Sequence, residues 1–140
     1  LLTKAPQNLL DKDSIGAIGF CFGGGTVLEL ARSGAAIDGV VSFHGNLDTP
    51  DPSLAKQIQT SVLVLHGADD PYVPADQVSG FEAEMRAAGV DWQLVSYGGT
   101  VHSFTDPYAA TPGQAEYQPR SAARALTAMQ NFFAERFAAP

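Results

Sequence analysis

Residues 18–26 read IGFCFGGGT, an apolar run that passes through Cys21, the only cysteine of the chain, into three consecutive glycines. The preceding segment SIGAIGF, residues 14–20, is a short apolar stretch. The following TVLELARSG, residues 26–34, has helical spacing with Gly34 placed as a C-terminal cap. The reading is strand, sharp turn, helix. Gly19 and Gly23 flank the cysteine at i−2 and i+2, where side chains would clash in a strained strand-to-helix turn. Such a corner exposes the sulfur above a sheet, at a helix N-terminus whose partial positive charge favours thiolate. The N–H of Phe22, the next residue, becomes a candidate oxyanion-hole donor. A free cysteine is more often a buried core residue; the flanking glycines and the helix that follows favour the exposed corner.

Outward from this turn the pattern repeats. IDGVVSFHG (37–45) and SVLVLHG (61–67) are β-branched, apolar and closed by glycine, with no polar alternation, as expected of strands buried on both faces. NLDTPDPSLAKQIQT (46–60) reads as a loop with at most a short helical turn. PADQVSGFEAEMRAAG (74–89) places Val78, Phe81, Met85 and Ala88 on one helical face and ends in Gly89. DWQLVSYGG (91–99) is a fourth strand. Residues 121–137 form a last helix with Ser121 as N-cap and Leu126, Met129, Phe133 and Phe137 on one stripe. This order predicts one α/β domain over 1–140: a mostly parallel sheet of about four strands flanked by helices on both faces. LLTKAPQNLLDKD at the start reads as the tail of a helix and a loop.

The chain has 140 residues, 45% hydrophobic and 16% charged, with a net charge of −7. This is the balance of a globular domain able to bury a core. The negative charge argues against nucleic acid and anionic bilayers as partners, and no segment has the length or composition of a membrane span or a secretory leader. One cysteine excludes an internal disulfide framework and fits a reducing compartment such as the cytoplasm.

In a parallel sheet ligands gather at the carboxyl ends of the strands. There the chain offers Cys21, His44, the pair Asp69 and Asp70, and His102. A thiol, a carboxylate and an imidazole in that order are the parts of a nucleophile, orienter and base. His44 and His66 precede the acid and are poor candidates for the base. His66 reads as structural, and His44, with Phe104, as lining a pocket. Asp69, Asp70, His66 and His102 show no local metal-binding spacing, so neither a metal nor another cofactor is expected.

Taken together, GFCFGG around Cys21, HGADDPYVP around the acid and YGGTVHSF around His102 resemble the dienelactone hydrolases of the α/β-hydrolase fold. The resemblance covers nearly the whole chain, including TDPYA after the histidine and the final helix. It corresponds to the C-terminal half of the usual domain, so the fold implied is a partial α/β-hydrolase. It implies a Cys21–His102–Asp70 triad: on the family pattern G-x-x-D-x-x-V-P, which starts at Gly67, Asp70 is the acid. The implied reaction is cleavage of an ester or lactone by Cys21 through an acyl-enzyme. The family's second oxyanion donor, and the glutamate its best-known members use near the thiol, belong to the other half. The arginine that those members carry four residues after the histidine is Asp106 here, which disfavours a substrate carboxylate. The strand ending at Phe20 is expected to be an open apolar edge, so homo-oligomerisation is expected, as a homodimer or larger. Two rival readings are a catalytically idle, self-associating half-fold and a redox-reactive thiol.

Overall fold

The computed structural model describes residues 11–138; the helix tail and loop expected at the start fall mostly outside that range. Four strands, β1 (Gly16–Phe20), β2 (Gly39–Phe43), β3 (Ser61–Gly67) and β4 (Trp92–Tyr97), lie side by side in sequence order. All three pairings are parallel, with Phe20 opposite Phe43, Phe43 opposite Leu65 and Leu65 opposite Val95. Helix α1 (Phe22–Arg32) joins β1 to β2, a 3₁₀ helix (Pro52–Gln57) lies between β2 and β3, α2 (Ala75–Ala88) joins β3 to β4, and α3 (Pro119–Arg136) follows. The chain is an α/β protein built on a parallel four-stranded sheet. Among the described residues, no helix is long and apolar enough to cross a membrane.

The layers follow from connectivity. When parallel strands follow one another in order and every crossover is right-handed, all crossovers fall on one face. Leu28 and Ala31 of α1 and Phe81 and Met85 of α2 accordingly share one core with Val40, Val62 and Val64. Among the described residues, the opposite face is covered by the chain after β4, where Ala125 and Phe132 of α3 pack on Val41, Phe43, Leu63 and Leu65. Every residue of β2 and β3 is buried, as unalternating apolar runs require. β1 is an edge strand, with Ile18 and Phe20 exposed.

Three expectations are corrected. Helix α3 begins at Pro119, whose fixed φ suits the first helical turn. Ser121 is therefore not a cap; it lies buried within that turn and bonds the Thr100 hydroxyl at 2.7 Å. The buried stripe of α3 runs through Ala122, Ala125 and Phe132, while Leu126 and Phe137 are exposed. Met129 and Phe133 of the expected stripe do pack against this core, so the inward face is the expected one turned partly toward the small alanines. A two-stranded hairpin not expected from sequence, β5 (Ala110–Thr111) with β6 (Ala115–Glu116), forms around the turn at Pro112 and Gly113.

One buried polar clamp holds the helical layer. Arg32, in the last turn of α1, donates through Nε and Nη2 to the two carboxylate oxygens of Glu84 on α2, each at 2.7 Å. It also donates to Glu29 and to the Leu47 carbonyl. Its position fixes α1, and thereby the turn at Cys21 from which α1 starts.

Candidate active site at the carboxyl ends of the strands

Cys21 caps α1 with φ 52° and ψ −120°, a sparsely populated conformation for a non-glycine residue, and its N–H donates to the Phe43 carbonyl at 3.0 Å. Glycine is obligatory at position 19, since a Cβ there would overlap the Gly23 carbonyl. Gly23 itself faces open space, contrary to the expectation that it too is sterically required. The second close approach belongs instead to Gly24, where a Cβ would lie 2.6 Å from Ser42 Oγ and 2.8 Å from Gly45 Cα. The first turn of α1 is pressed against the end of β2, and that contact, rather than the corner alone, demands the glycine run. The Phe22 N–H has no backbone acceptor among the described residues, and the Phe22 side chain is exposed.

Among the described residues, the non-glycine residues with positive φ are Cys21, His44 at 38° and Ser103 at 55°. All three meet at the sulfur. Cys21 Sγ lies 3.4 Å from His44 Nδ1 and 3.4 Å from Ser103 Oγ. Strained backbone gathered at one point is characteristic of functional sites, because packing must hold it there. His44 follows β2 directly, its N–H bonded to the Leu65 carbonyl, and its Nε2 meets the Thr105 hydroxyl at 2.7 Å. Burial, reinforced by the neighbouring His102, pushes the His44 pKa from 6.5 down to about 4, so the ring is neutral at neutral pH.

Asp70 and His102 are joined through Asp70 Oδ2 and His102 Nδ1 at 2.8 Å. The carboxylate is buried, and its other oxygen accepts the Tyr72 N–H at 2.9 Å. Asp69, its neighbour, is exposed. The hairpin holds the backbone of His102, whose N–H donates to the Gln114 carbonyl while its own carbonyl accepts from Glu116. One donor atom each from Cys21, His44 and His102 lies within 4.8 Å of the other two. With Nδ1 engaged by Asp70, Nε2 is the His102 nitrogen left for the sulfur.

Phe104, expected to line a pocket, is fully buried and forms the floor under His44, with ring centroids 5.0 Å apart. His66 is buried, and its Nδ1 lacks a hydrogen-bond partner on the wall of a cavity of about 270 Å³ shared with Asp70, Val73, Val78 and Ser96. Burial lowers its pKa as well. Asp106 is exposed and accepts the Tyr108 N–H at 2.9 Å, so it caps its own turn. Sequence reasoning did not find the contacts that Ser103 and Thr105 make. Their only signal was adjacency to the His102 motif.

A model of the dienelactone hydrolase family matches residues 2–137. The chain belongs to this family. A Caenorhabditis elegans relative, the uncharacterized protein K02A2.1, is 38% identical over 134 residues, covering 92% of this chain and 84% of that protein. Among solved structures, the dienelactone hydrolase-like promiscuous phosphotriesterase P91 from metagenomic libraries is 48% identical with a TM-score of 0.88, covering 98% of this chain and 57% of that one. The structure of m3DLH matches with the same TM-score, 0.88, at 47% identity, again over 98% of this chain and 57% of that one. The chain thus spans little more than half the length of these two solved relatives.

Proposed function

We propose that this chain carries the nucleophile, base and acid of a hydrolase that cleaves uncharged carboxylic esters or lactones. The observation that carries the reading is the buried Asp70–His102 hydrogen bond at 2.8 Å, brought beside a cysteine on a strained strand-to-helix corner. In the proposed reaction His102 Nε2 takes the thiol proton as Sγ bonds to the acyl carbon. Asp70 holds the ring and stabilises the imidazolium, and the Phe22 N–H donates to the developing oxyanion. Collapse breaks the ester C–O bond, and His102 returns its proton to the leaving oxygen. Water then attacks the thioester carbonyl and gives a proton to His102, and the departing sulfur recovers it. Neutral His44 steadies the sulfur through Nδ1 while Thr105 fixes its other nitrogen. Among the described residues, the sulfur's hydrogen-bond partners are His44 and Ser103, with His102 within 4.8 Å, and Asp106 stands where the family's carboxylate-binding arginine would be. An uncharged acyl group fits this setting. The P91 relative is described as a phosphotriesterase, and a phosphotriester is likewise an uncharged electrophile.

The test is turnover of neutral aryl esters, lactones and an aryl phosphotriester by the 140-residue protein, beside Cys21→Ala and His102→Ala. Ester or lactone hydrolysis that disappears in both variants is the expected result. Hydrolysis that persists in Cys21→Ala would refute the thiol nucleophile, and turnover of the phosphotriester alone would move the substrate class.

A further inference from the structure

The carboxyl ends of β1, β2 and β4 bring together one sulfur and two imidazoles. Their donor atoms lie within 4.8 Å of one another, and His44 Nδ1 is already 3.4 Å from Sγ. The far side of each ring is also occupied. Asp70 Oδ2 holds His102 Nδ1 at 2.8 Å, and the Thr105 hydroxyl holds His44 Nε2 at 2.7 Å. A histidine that ligates a metal through one nitrogen is oriented by a carboxylate, carbonyl or similar partner on the other. Both rings carry such a partner, and in both the engaged nitrogen leaves the second one for the sulfur side.

We propose that Cys21 Sγ, His44 Nδ1 and His102 Nε2 form a binding site for one zinc-class divalent cation, and that the bound ion shuts off the thiol. The shut-off rests on the hydrolase reading above; the binding does not. One thiolate and two neutral imidazoles suit zinc or its optical substitute cobalt, whereas calcium and magnesium require oxygen ligands. With Zn–S about 2.3 Å and Zn–N about 2.1 Å, tetrahedral geometry places ligand atoms about 3.5 Å apart. His44 already meets that separation from the sulfur, and the widest pair of the cluster need close by only about 1 Å. Three protein ligands leave a fourth position for water, as in open zinc sites. Binding takes the thiol as thiolate, so one proton passes to solvent for each ion bound and no electrons move. The ion then occupies the lone pairs that Cys21 and His102 use in attack and proton transfer. No local spacing announces this site because its ligands come from three separate strand ends.

The test uses the full chain, freed of metal with a chelator and titrated with Zn²⁺ against a chromogenic chelator, and with Co²⁺ read by its thiolate-to-cobalt charge-transfer band. One ion per chain is expected, with a band that Cys21→Ala abolishes. His44→Ala and His102→Ala should each weaken Zn²⁺ binding at least tenfold, and Thr105→Val by roughly 10–100-fold through loss of the orienting partner. Circular dichroism of each variant separates ligand loss from unfolding. Absence of the charge-transfer band in the parent chain overturns the site, as does binding by folded His44→Ala or His102→Ala within threefold of the parent. Ester turnover should fall in step with zinc occupancy and return with EDTA, and turnover that rises with zinc overturns the shut-off. Zinc bound as described with no ester turnover under any condition refutes the hydrolase reading and the shut-off with it, and leaves the binding site standing. Ester turnover without zinc binding refutes the site alone.

Discussion

Replacing Asp70 with asparagine nearly preserves the shape of the site and removes one charge. The Asp70 side chain is fully buried, with Oδ2 2.8 Å from His102 Nδ1. In the proposed reaction His102 becomes positively charged, with its charge centre about 4 Å from that of the carboxylate. At an effective dielectric constant of about 20, the attraction over this distance is about 4 kcal/mol. At about 1.4 kcal/mol per decade, its loss predicts a fall in kcat/KM of about 10³-fold for Asp70→Asn. The amide can still accept the Tyr72 N–H at the other oxygen, so the loop should keep its place. The assay is steady-state hydrolysis of a neutral aryl ester across pH, with thermal unfolding of both proteins as a control. A loss under about tenfold in a folded variant would mean that His102 does not carry the proton at the barrier. His44, whose Nδ1 touches the sulfur, would then be the base to test.

Further outcomes follow from particular contacts. Glu84→Gln strands the buried Arg32 guanidinium and should cost about 3 kcal/mol, or about 10 °C in Tm, by urea and thermal unfolding followed through Trp92, the single tryptophan; a change below about 1 kcal/mol would show that Glu29 compensates alone. Gly24→Ala should destabilise by about 1–3 kcal/mol because its Cβ meets Ser42 and Gly45, whereas Gly23→Ala meets nothing and should be neutral or stabilising; the reverse ranking would refute the packing described at α1. His44 has its folded pKa lowered from 6.5 to about 4, so its contribution is present in full above about 6.5 and is lost as pH falls toward 4. Between pH 7.5 and pH 5 in the presence of a chelator, the chain should lose about 2 kcal/mol more than His44→Asn does, and equal losses would refute this assignment. Ile18 and Phe20, 47% and 43% exposed on edge strand β1, predict self-association of the 140-residue chain in sedimentation experiments at micromolar concentration, which Phe20→Lys should weaken. A monodisperse parent monomer would refute it.

Much of the architecture was legible because it is written locally. Unalternating runs such as SVLVLHG announce strands covered on both faces, and the glycine-closed helix between β3 and β4 announces a crossover. The pair Asp69 and Asp70 and the imidazole His102 could be picked out of HGADDPYVP and YGGTVHSF by their place after successive strands; the family resemblance pointed to Asp70, and the structure holds Asp70 and His102 2.8 Å apart. The face of α3 was read half correctly: Met129 and Phe133 pack on the core, but hydropathy ranks Leu126 and Phe137 above Ala122 and Ala125, while close helix–sheet approach selects the small residues. His44 was undervalued for a related reason. Nothing in its neighbours along the chain records that a positive φ turns its ring toward Cys21.

The sequence by itself determined the class of fold, the order of its main elements and the strand-to-helix corner at Cys21, because periodicity and turn chemistry act over a few residues. Tertiary structure alone decided which glycine is sterically required, that Arg32 and Glu84, 52 positions apart, clamp the helical layer, and that His44 and Ser103, 23 and 82 positions from Cys21, share its sulfur. Those contacts arise because a parallel sheet gathers the carboxyl ends of distant strands at one edge. Separation along the chain carries no measure of that distance.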